Sequence, residues 1–314
     1  MAMILVALLI SSKFDIVKKT LDTLLTQHRF DDYRIVVFIN TLNESFAQEA
    51  SDYFASNKHR LIHNVVRTES NGRPGKGYNS LYDYFKSSPE YEYLLTMDGD
   101  DFLYPESLYR INALISEHSR PDMINLAGNT KFKCVSDVNV QNTSYSVTCK
   151  YIFDESRVTN FSKDYNTALA TPSRALIIGR RITELYDSVH DDDMYVFSDY
   201  KTFLISYKEY LRGVLKILYV SDPYMYLWNG INNSSTSGAG NYIKANEQFD
   251  MARIGQIKTD LEISSLKMEA VPILYNNHPM DETLISKFYV DIITNSAIFR
   301  PSNGEVISRL MASK

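Results

Sequence analysis

Cysteine is scarce in this chain of 314 residues, and long apolar runs are absent. The two cysteines, Cys134 and Cys149, match no metal-ligand or redox spacing, which excludes a disulfide-rich scaffold and a cysteine-based zinc site. They predict thiols in a reducing compartment, the cytoplasm, with a single disulfide as the alternative. The apolar residues 1–10 lack a basic flank and are too short to cross a bilayer, so they predict a buried first strand and no membrane span.

An excess of charge of one sign is also lacking. The chain has 33 Lys and Arg against 38 Asp and Glu, a net charge of -5, so no global field draws it to nucleic acid or anionic lipid. DNA is therefore disfavoured as a partner, although basic residues cluster locally at 67–76 and 174–181 and leave it open as an alternative. Tyrosine is abundant, with 23 residues, and its rings fill cores as well as stack on sugars.

Strand and helix patterns alternate over the first hundred residues. Residues 4–10 form a continuous apolar run, residues 14–27 carry apolar side chains at helical spacing, and residues 34–39 are rich in β-branched types. Further helices are predicted at 45–56, 78–86, 105–118 and 195–210, and further strands at 61–66, 91–97, 174–179 and 214–220. This alternation predicts an α/β fold with a mostly parallel central sheet flanked by helices.

The remaining segments suggest a boundary near residue 240. Residues 229–241 are rich in Ser, Asn and Gly and predict a mobile loop, and helical patterns follow at 242–268 and 279–294. We therefore predict a main domain of residues 1–240 and a helical C-terminal extension of residues 241–314, through which an oligomer could form. Residues 131–161 alternate like strands, but their order is not predicted.

Three carboxylates follow the predicted strand 91–97. Asp98, Asp100 and Asp101, with Gly99 between them, lie where open α/β sheets bind their ligands, beyond the carboxyl ends of the strands. They would repel one another unless a cation or a set of donors offsets their charge, which favours a hard metal with oxygen ligands. The alternative is an acidic turn in which Asp101 caps a helix, and the cluster alone favours neither.

Two segments resemble the family 2 glycosyltransferases. In residues 93–105 a hydrophobic strand runs into Asp-x-Asp-Asp and then a proline, and residues 71–79 are similar to the glycine-bearing loop that ends in an Asn. The resemblance implies a GT-A fold, which is Rossmann-like, and a nucleotide-sugar donor. It also implies Mn²⁺ or Mg²⁺ as cofactor, with Asp100 as direct ligand and Asp98 contacting ribose or sharing the metal.

The same resemblance implies a set of donor-binding residues. Ser11 follows the first strand, where residues 11–13 replace the usual small-aromatic-Asn sequence. Asn40 stands where the family commonly has an Asp that contacts the base, and an amide can still bond a uracil edge. Arg73 is implied to approach the base, with Lys76 as second choice. UDP is the first choice of nucleotide.

A catalytic base is expected at the start of a late helix. Inverting transfer needs a carboxylate that takes the proton of the acceptor hydroxyl. Asp199 matches the position of the family's base, although Ser198 replaces its usual acidic partner. Asp193 is second choice, within the acidic run 191–193 that is by default a solvated loop.

Three more residues are candidates for the site. Trp228, the single tryptophan, is either a stacking platform for a sugar or a core anchor. His190 and His278 lie in polar segments and could complete the metal shell or touch phosphate. We take His278 as the candidate metal ligand, and the default for both is an ordinary surface histidine.

These patterns predict an inverting, metal-dependent glycosyltransferase. It would move a sugar from a nucleotide-diphosphate sugar, with UDP favoured, to a hydroxyl of a carbohydrate or other small hydroxylated acceptor. One alternative is a transferase acting on modified DNA bases. Another is a non-catalytic nucleotide-sugar-binding protein, which Asn40 and Ser198 favour because the family has acids there. A nucleotidyltransferase is disfavoured because no glycine-rich phosphate loop follows the first strand.

Overall fold

The structure is a computed structural model that describes most of the chain. The described residues are 2–126, 130–134, 149–152, 176–195, 198–222, 225–228, 240–266, 273–276, 280–281, 283–284 and 288. Most of the predicted helix 279–294 lies outside them. Within them, no helix combines the length and the apolar character needed to cross a membrane.

The predicted alternation is present in the described residues, and the strands Met123–Leu126 and Ile273–Tyr275 and the helix Arg180–Leu185, which were not predicted, add to it. The helices are α1 Phe14–Leu25, α2 Glu44–Ser56, α3 Pro74–Ser87, α4 Ser107–Glu117, α5 Arg180–Leu185, α6 Tyr200–Arg212 and α7 Gly240–Asp260, with a 3-10 turn at Ile263–Ser265. The strands are β1 Ile4–Ile10, β2 Tyr33–Ile39, β3 Ile62–Arg67, β4 Tyr93–Asp98, β5 Phe102–Leu103, β6 Met123–Leu126, β7 Thr130–Cys134, β8 Cys149–Ile152, β9 Leu176–Gly179, β10 Ile217–Ser221, β11 Tyr226–Trp228 and β12 Ile273–Tyr275.

Eight strands form the main sheet, in the order β12-β10-β6-β9-β4-β1-β2-β3. Only β9 runs antiparallel to its neighbours β4 and β6, which confirms the predicted mostly parallel sheet. Every residue of β1 is buried because helices cover both faces, so its sequence is continuously apolar instead of alternating. Its side chains at 4, 6, 8 and 10 pack in one core layer and those at 5, 7 and 9 in the other.

The two core layers use different helices. The layer on one face includes apolar side chains of α1, α2 and α4, and the layer on the other includes those of α3, α5, α6 and α7. Ile254 and Ile257 of α7 are among the buried members of the second layer. The helix that follows residue 240 is therefore packed against the main sheet, as is β12, which pairs with β10.

A small second sheet lies beside the acidic cluster, in the order β5-β11-β7-β8. The strand β5 follows the cluster directly and pairs with β11. The register of β7 and β8 places Cys134 opposite Cys149. None of these short strands has enough residues for a periodicity that the sequence could reveal.

Candidate active site

The carboxyl ends of three parallel strands meet at one edge of the main sheet. The Gly99 amide, just after β4, donates to the carbonyl of Leu9 at 2.8 Å, and the Asn40 amide, just after β2, donates to the carbonyl of Ile10 at 2.8 Å. A cavity of about 560 Å³ opens at this edge. Its wall contains residues 11–13 after β1, 40–43 after β2, Ser70, residues 72–74, Tyr78, Thr96, residues 98–100, Asn125, Leu176, His190, Ser198, Asp199, Thr202 and Phe203.

The three carboxylates of the acidic cluster form a compact group with two faces. Asp98, Asp100 and Asp101 each offer an oxygen atom, and these atoms lie within 4.8 Å of one another. Asp98 and Asp100 line the cavity. Asp101 is only 1% exposed, and its Oδ2 accepts a hydrogen bond of 2.6 Å from the Tyr226 hydroxyl. The cluster therefore presents two carboxylates to a ligand and anchors the third to β11.

Gly99 makes this arrangement possible. A Cβ atom at this position would lie 2.8 Å from Ile10 Cγ2 and 2.9 Å from the Leu9 carbonyl oxygen, closer than a side chain can approach. The Gly99 carbonyl also accepts a hydrogen bond of 2.9 Å from the buried Thr20 hydroxyl. The turn that carries the carboxylates is thus fixed to β1 and α1.

Two tyrosine hydroxyls donate to the cluster. Tyr226 bonds Asp101, and the Tyr78 hydroxyl, from α3, donates to Asp98 Oδ1. Burial, and then the neighbouring Asp101 carboxylate, raise the pKa of the Tyr226 phenol well above its ordinary value, so it remains a neutral donor. Neutral donors ease the repulsion between the carboxylates without cancelling their charge. Grouped carboxylate oxygens with net negative charge fit Mg²⁺ or Mn²⁺, which prefer oxygen ligands.

His190 forms part of the cavity wall and is not a surface residue. It is 5% exposed, and its ring stacks on that of Tyr78, with centroids 4.5 Å apart and an angle of 14° between the planes. Within the described residues, neither ring nitrogen has a well-formed hydrogen bond, and only a weaker contact with the Ser198 backbone favours the charged ring. Burial, and then the nearby Lys201 ammonium, lower the pKa of His190 to about 3, so the ring is neutral at physiological pH. The default of a surface histidine is wrong here.

The acidic run belongs to a loop, residues 189–195, that we call the acidic loop. Asp191 is buried, and its Oδ1 accepts the amides of Asp193 at 3.0 Å and Met194 at 3.1 Å. Asp193 is 61% exposed and pairs with Arg73 at 3.6 Å. The default of a solvated loop therefore holds for Asp193 and is wrong for Asp191.

The two candidate bases have different positions. Asp199 precedes α6 and lines the cavity that Asp98 and Asp100 also line. Its neighbour Ser198 is buried, and the Ser198 carbonyl accepts the Asp191 amide at 3.2 Å. Among the described residues, the cavity wall includes Asp199 but not Asp193.

Three of the expected donor-binding residues, Ser11, Asn40 and Arg73, line the cavity. The Asn40 side chain is held between elements, because its Oδ1 accepts the Thr68 hydroxyl at 2.8 Å and its Nδ2 donates to the Arg73 carbonyl at 3.5 Å. The guanidinium of Arg73 donates to the Tyr195 hydroxyl at 2.7 Å and lies 4.1 Å from the centre of that ring.

The remaining candidates are not part of the described cavity wall. Lys76 pairs with Glu69 at 3.4 Å, and both side chains are solvent-accessible. The backbone of Trp228 lies in β11 and pairs with Lys131, while its side chain is outside what the structure describes. His278 lies outside the described residues.

Asn79, which ends the glycine-bearing loop of the sequence analysis, supports the site through hydrogen bonds that the sequence does not predict. Its Oδ1 accepts the amides of Val189 at 3.2 Å and His190 at 3.0 Å. Its Nδ2 donates to the His190 carbonyl at 3.0 Å and to Asp192 Oδ1 at 2.7 Å. All the hydrogen-bonding groups of this buried amide are thus used to hold the acidic loop against α3. The signal was an amide on the buried side of an amphipathic helix, since such a group needs partners.

A mostly parallel sheet with one antiparallel strand, and with grouped carboxylates at its carboxyl edge, defines the class of GT-A folds. The family model described as glycosyl transferase family 2 matches residues 11–177, more than half of the chain. The chain therefore belongs to glycosyl transferase family 2 and is a glycosyltransferase.

Two solved structures share the fold. The mannosyltransferase PcManGT from Pyrobaculum calidifontis, in complex with GDP-Man and Mn²⁺, matches with a TM-score of 0.54 and 11% identity, over 99% of this chain and 79% of that one. S. aureus TarS, residues 1-349, matches with a TM-score of 0.50 and 17% identity, over 95% of this chain and 73% of that one. At these identities the likeness concerns the fold. No curated protein matches the chain in sequence.

Proposed function

We propose that the protein transfers a sugar, with inversion, from a nucleotide-diphosphate sugar to a hydroxyl group, with a divalent metal as cofactor. The observation that carries the proposal is that Asp98, Asp100 and Asp199 all line one cavity. A diphosphate and its attacking hydroxyl need a metal site and a base on opposite sides of the reacting carbon. The family membership supports the same reaction class.

The metal site would be formed by the two carboxylates that face the cavity. Asp100 would bind the ion directly, and Asp98, held by Tyr78, would share it or contact the ribose. A bound Mn²⁺ or Mg²⁺ would supply positive charge for the departing diphosphate. The Mn²⁺ and GDP-Man in the PcManGT complex support this assignment for a related fold. His278 stays a predicted additional ligand.

Asp199 would act as the base. Its carboxylate would accept the proton of the acceptor hydroxyl while the hydroxyl oxygen bonds to the anomeric carbon, and the bond from that carbon to the diphosphate oxygen would break on the opposite face. Leu176 and Phe203, both buried, lie in the same wall and would keep water from competing with the acceptor.

The donor nucleotide would occupy part of the cavity. Ser11, Asn40 and Arg73 line it, and we favour UDP because an amide at position 40 can bond a uracil edge. Lys76 and Trp228 stay predicted contacts of the base and of a sugar. We favour a carbohydrate or small hydroxylated acceptor because the acidic balance of charge gives no general attraction for DNA. A cytoplasmic location is proposed from the scarcity of cysteine.

A donor screen tests this function. UDP, GDP, CDP and dTDP sugars would be incubated with the protein with and without Mn²⁺, and both binding and release of free sugar measured. We expect one nucleotide class to bind and to be hydrolysed slowly only with metal, and transfer products to have inverted anomeric configuration. Binding without any turnover would favour a non-catalytic binder, retention would contradict the inverting mechanism, and sugar appearing on duplex DNA would overturn the acceptor preference.

A further inference from the structure

The helix α7 contacts the acidic loop through two charged side chains. Arg253 Nη2 donates to Asp191 Oδ2 at 2.6 Å, and this carboxylate is 5% exposed. Asp250, which is fully buried, accepts the Tyr195 amide on its Oδ1 at 3.0 Å. Phe249 adds an edge contact, with its ring centroid 5.5 Å from that of Tyr195. The loop is thus bonded to α7 near its middle and at its end.

The opposite side of the acidic loop is held by α3. Asn79 bonds the backbone of the loop at Val189 and His190, as described above. At Gly75 the two backbones are in direct contact, because a Cβ atom there would lie 1.8 Å from the Asp191 carbonyl oxygen. The loop therefore lies between α3 and α7 and contacts both helices, so a shift of either helix would displace it.

The loop leads directly into the cavity. Its residue His190 lines the cavity. The backbone amide of Asp191 donates to the carbonyl of Ser198, which is one residue before Asp199. Apolar side chains of α7, Ile254 and Ile257, already pack in the core and can hold the helix in place. The bonds of Arg253 and Asp250 are additional to that packing and act on the loop. A hydrogen bond between an arginine and a buried carboxylate is strong and directional, so it is suited to fixing a backbone segment.

We propose that α7 is a positioning element of the active site, and that Arg253 and Asp250 fix the acidic loop so that Asp199 lies correctly for proton transfer. The proposal rests on the proposed function of Asp199. Neither side chain needs to touch a substrate. Displacement of a reacting group by about 1 Å can lower a rate by on the order of 10²-fold, so a small movement of the loop is enough.

The first experiment separates turnover from donor binding. In Arg253→Leu we expect kcat for the metal-dependent reaction to fall by about 10- to 100-fold, while the affinity for UDP with Mn²⁺ changes by less than about 2-fold. Arg253→Lys should restore most of kcat because it keeps a cation near Asp191. The matched control is Arg212→Leu, because Arg212 is 47% exposed and pairs with Glu209, a buried carboxylate that is not among the residues that line the cavity.

The second experiment needs no activity. Hydrogen exchange should be measured on the full-length protein at the amides of Asp191, Asp193, Met194 and Tyr195, all of which are hydrogen-bonded in the structure. Arg253→Leu should speed exchange at these amides by about 10-fold or more, and Asp250→Ala should do so at Tyr195, while Arg212→Leu should not. Asp250→Asn keeps an acceptor oxygen and should stay close to the parent at Tyr195.

The outcomes are distinguishable. Unchanged exchange in both α7 variants, or a loss of kcat no greater than in Arg212→Leu, would overturn the positioning role. A folded Arg253→Leu protein that loses UDP affinity and kcat equally would also overturn it, because the effect would then not be specific to the base. If the parent protein turned over no nucleotide sugar while the exchange results held, the proposed function would fail and the structural link from α7 to the loop would stand.

Discussion

Asp98, Asp100 and Asp101 are neighbours in sequence, yet the structure gives each a different environment. Asp101 is buried and bonded to Tyr226, whereas Asp100 lines the cavity. The sequence could show that the carboxylates are grouped, because the spacing and the preceding apolar strand are local features. It could not show which of them faces the ligand, because that depends on a tyrosine that lies 125 positions away along the chain.

This difference predicts unequal effects of two isosteric changes. Asp100→Asn removes a charge that faces the cavity, and we expect metal-dependent turnover to fall by about 10²-fold or more, with weakened Mn²⁺ binding in titration calorimetry. Asp101→Asn keeps an oxygen that can accept from Tyr226, and we expect a loss within about 10-fold. Equal losses in the two variants would contradict the assignment of two faces.

A second comparison tests the choice of base. Asp199→Asn keeps the shape of the side chain and removes its basicity, so we expect turnover to fall by about 10²- to 10⁴-fold with little change in donor affinity. Asp193→Asn should change turnover by less than about 3-fold, because Asp193 is largely exposed and is not among the residues that line the cavity. Rates would be measured at saturating donor. A larger effect at position 193 would move the catalytic role to the acidic run.

At the scale of the element, local signals predicted six of the eight strands of the main sheet and missed β6 and β12. The buried run of β1 and the helical spacing in α1 are properties of short windows, and both elements begin where the sequence predicts. The helix α3 begins at Pro74, four residues earlier than predicted. Proline is compatible with the first turn of a helix, and Gly75 and Gly77 do not interrupt it. The order of the strands in the small sheet was not predicted, because strands of two to five residues have no clear sequence period.

Long-range polar contacts explain what the sequence did not reveal about the site. The run 191–193 has the composition of a solvated loop, but Asn79 and Arg253 supply the hydrogen bonds that allow part of it to be buried. The burial of His190 follows from the same contacts. Nothing within a few residues of either group reports these partners, so the default based on local polarity was wrong.

The packing of α3 against the acidic loop predicts a contrast between two glycines. In Gly75→Ala the new Cβ would clash with the Asp191 carbonyl, so we expect the free energy of unfolding to fall by about 1–3 kcal/mol and turnover to fall with it. Gly255→Ala, in α7, places its Cβ in open space and should stabilise the protein by about 0.5–1 kcal/mol through helix propensity. Chemical denaturation measures both. A harmless Gly75→Ala would contradict the close contact.

Considered as a whole, the molecule joins its C-terminal part to the sheet more closely than the sequence suggested. The sequence predicts an extension of residues 241–314 that is helical, and α7 is its main described helix. The same segment also adds β12 to the main sheet and four apolar side chains to the second core layer, those of Ile254, Ile257, Leu261 and Ile263. The boundary at residue 240 stays a prediction. Pairing at a sheet edge and packing across a core are tertiary events, so a composition change near residue 240 could not reveal them.

The stability of the whole fold should depend on pH through His190. Burial lowers its pKa from the ordinary 6.5 to about 3, so between these pH values the unfolded chain binds a proton that the folded chain does not. The positive charge of Lys201 opposes protonation of His190. The ring of Tyr78 covers one face of the imidazole. The stabilising contribution is therefore complete above about pH 6.5 and is lost as the pH falls, by up to about 1.4 kcal/mol per pH unit.

The substitution His190→Phe isolates this contribution, because a phenyl ring can keep the stack on Tyr78 and cannot bind a proton. We expect its free energy of unfolding, from urea denaturation at pH 7, 6 and 5, to fall less steeply with acid than that of the parent. The difference in slope should approach one bound proton at pH 5. His28→Phe, the same substitution at a histidine with an exposed side chain, is the control for the change of residue type. Parallel slopes for His190→Phe and the parent would show that the folded protein protonates His190 as easily as the unfolded chain does, and would contradict its burial as a neutral ring.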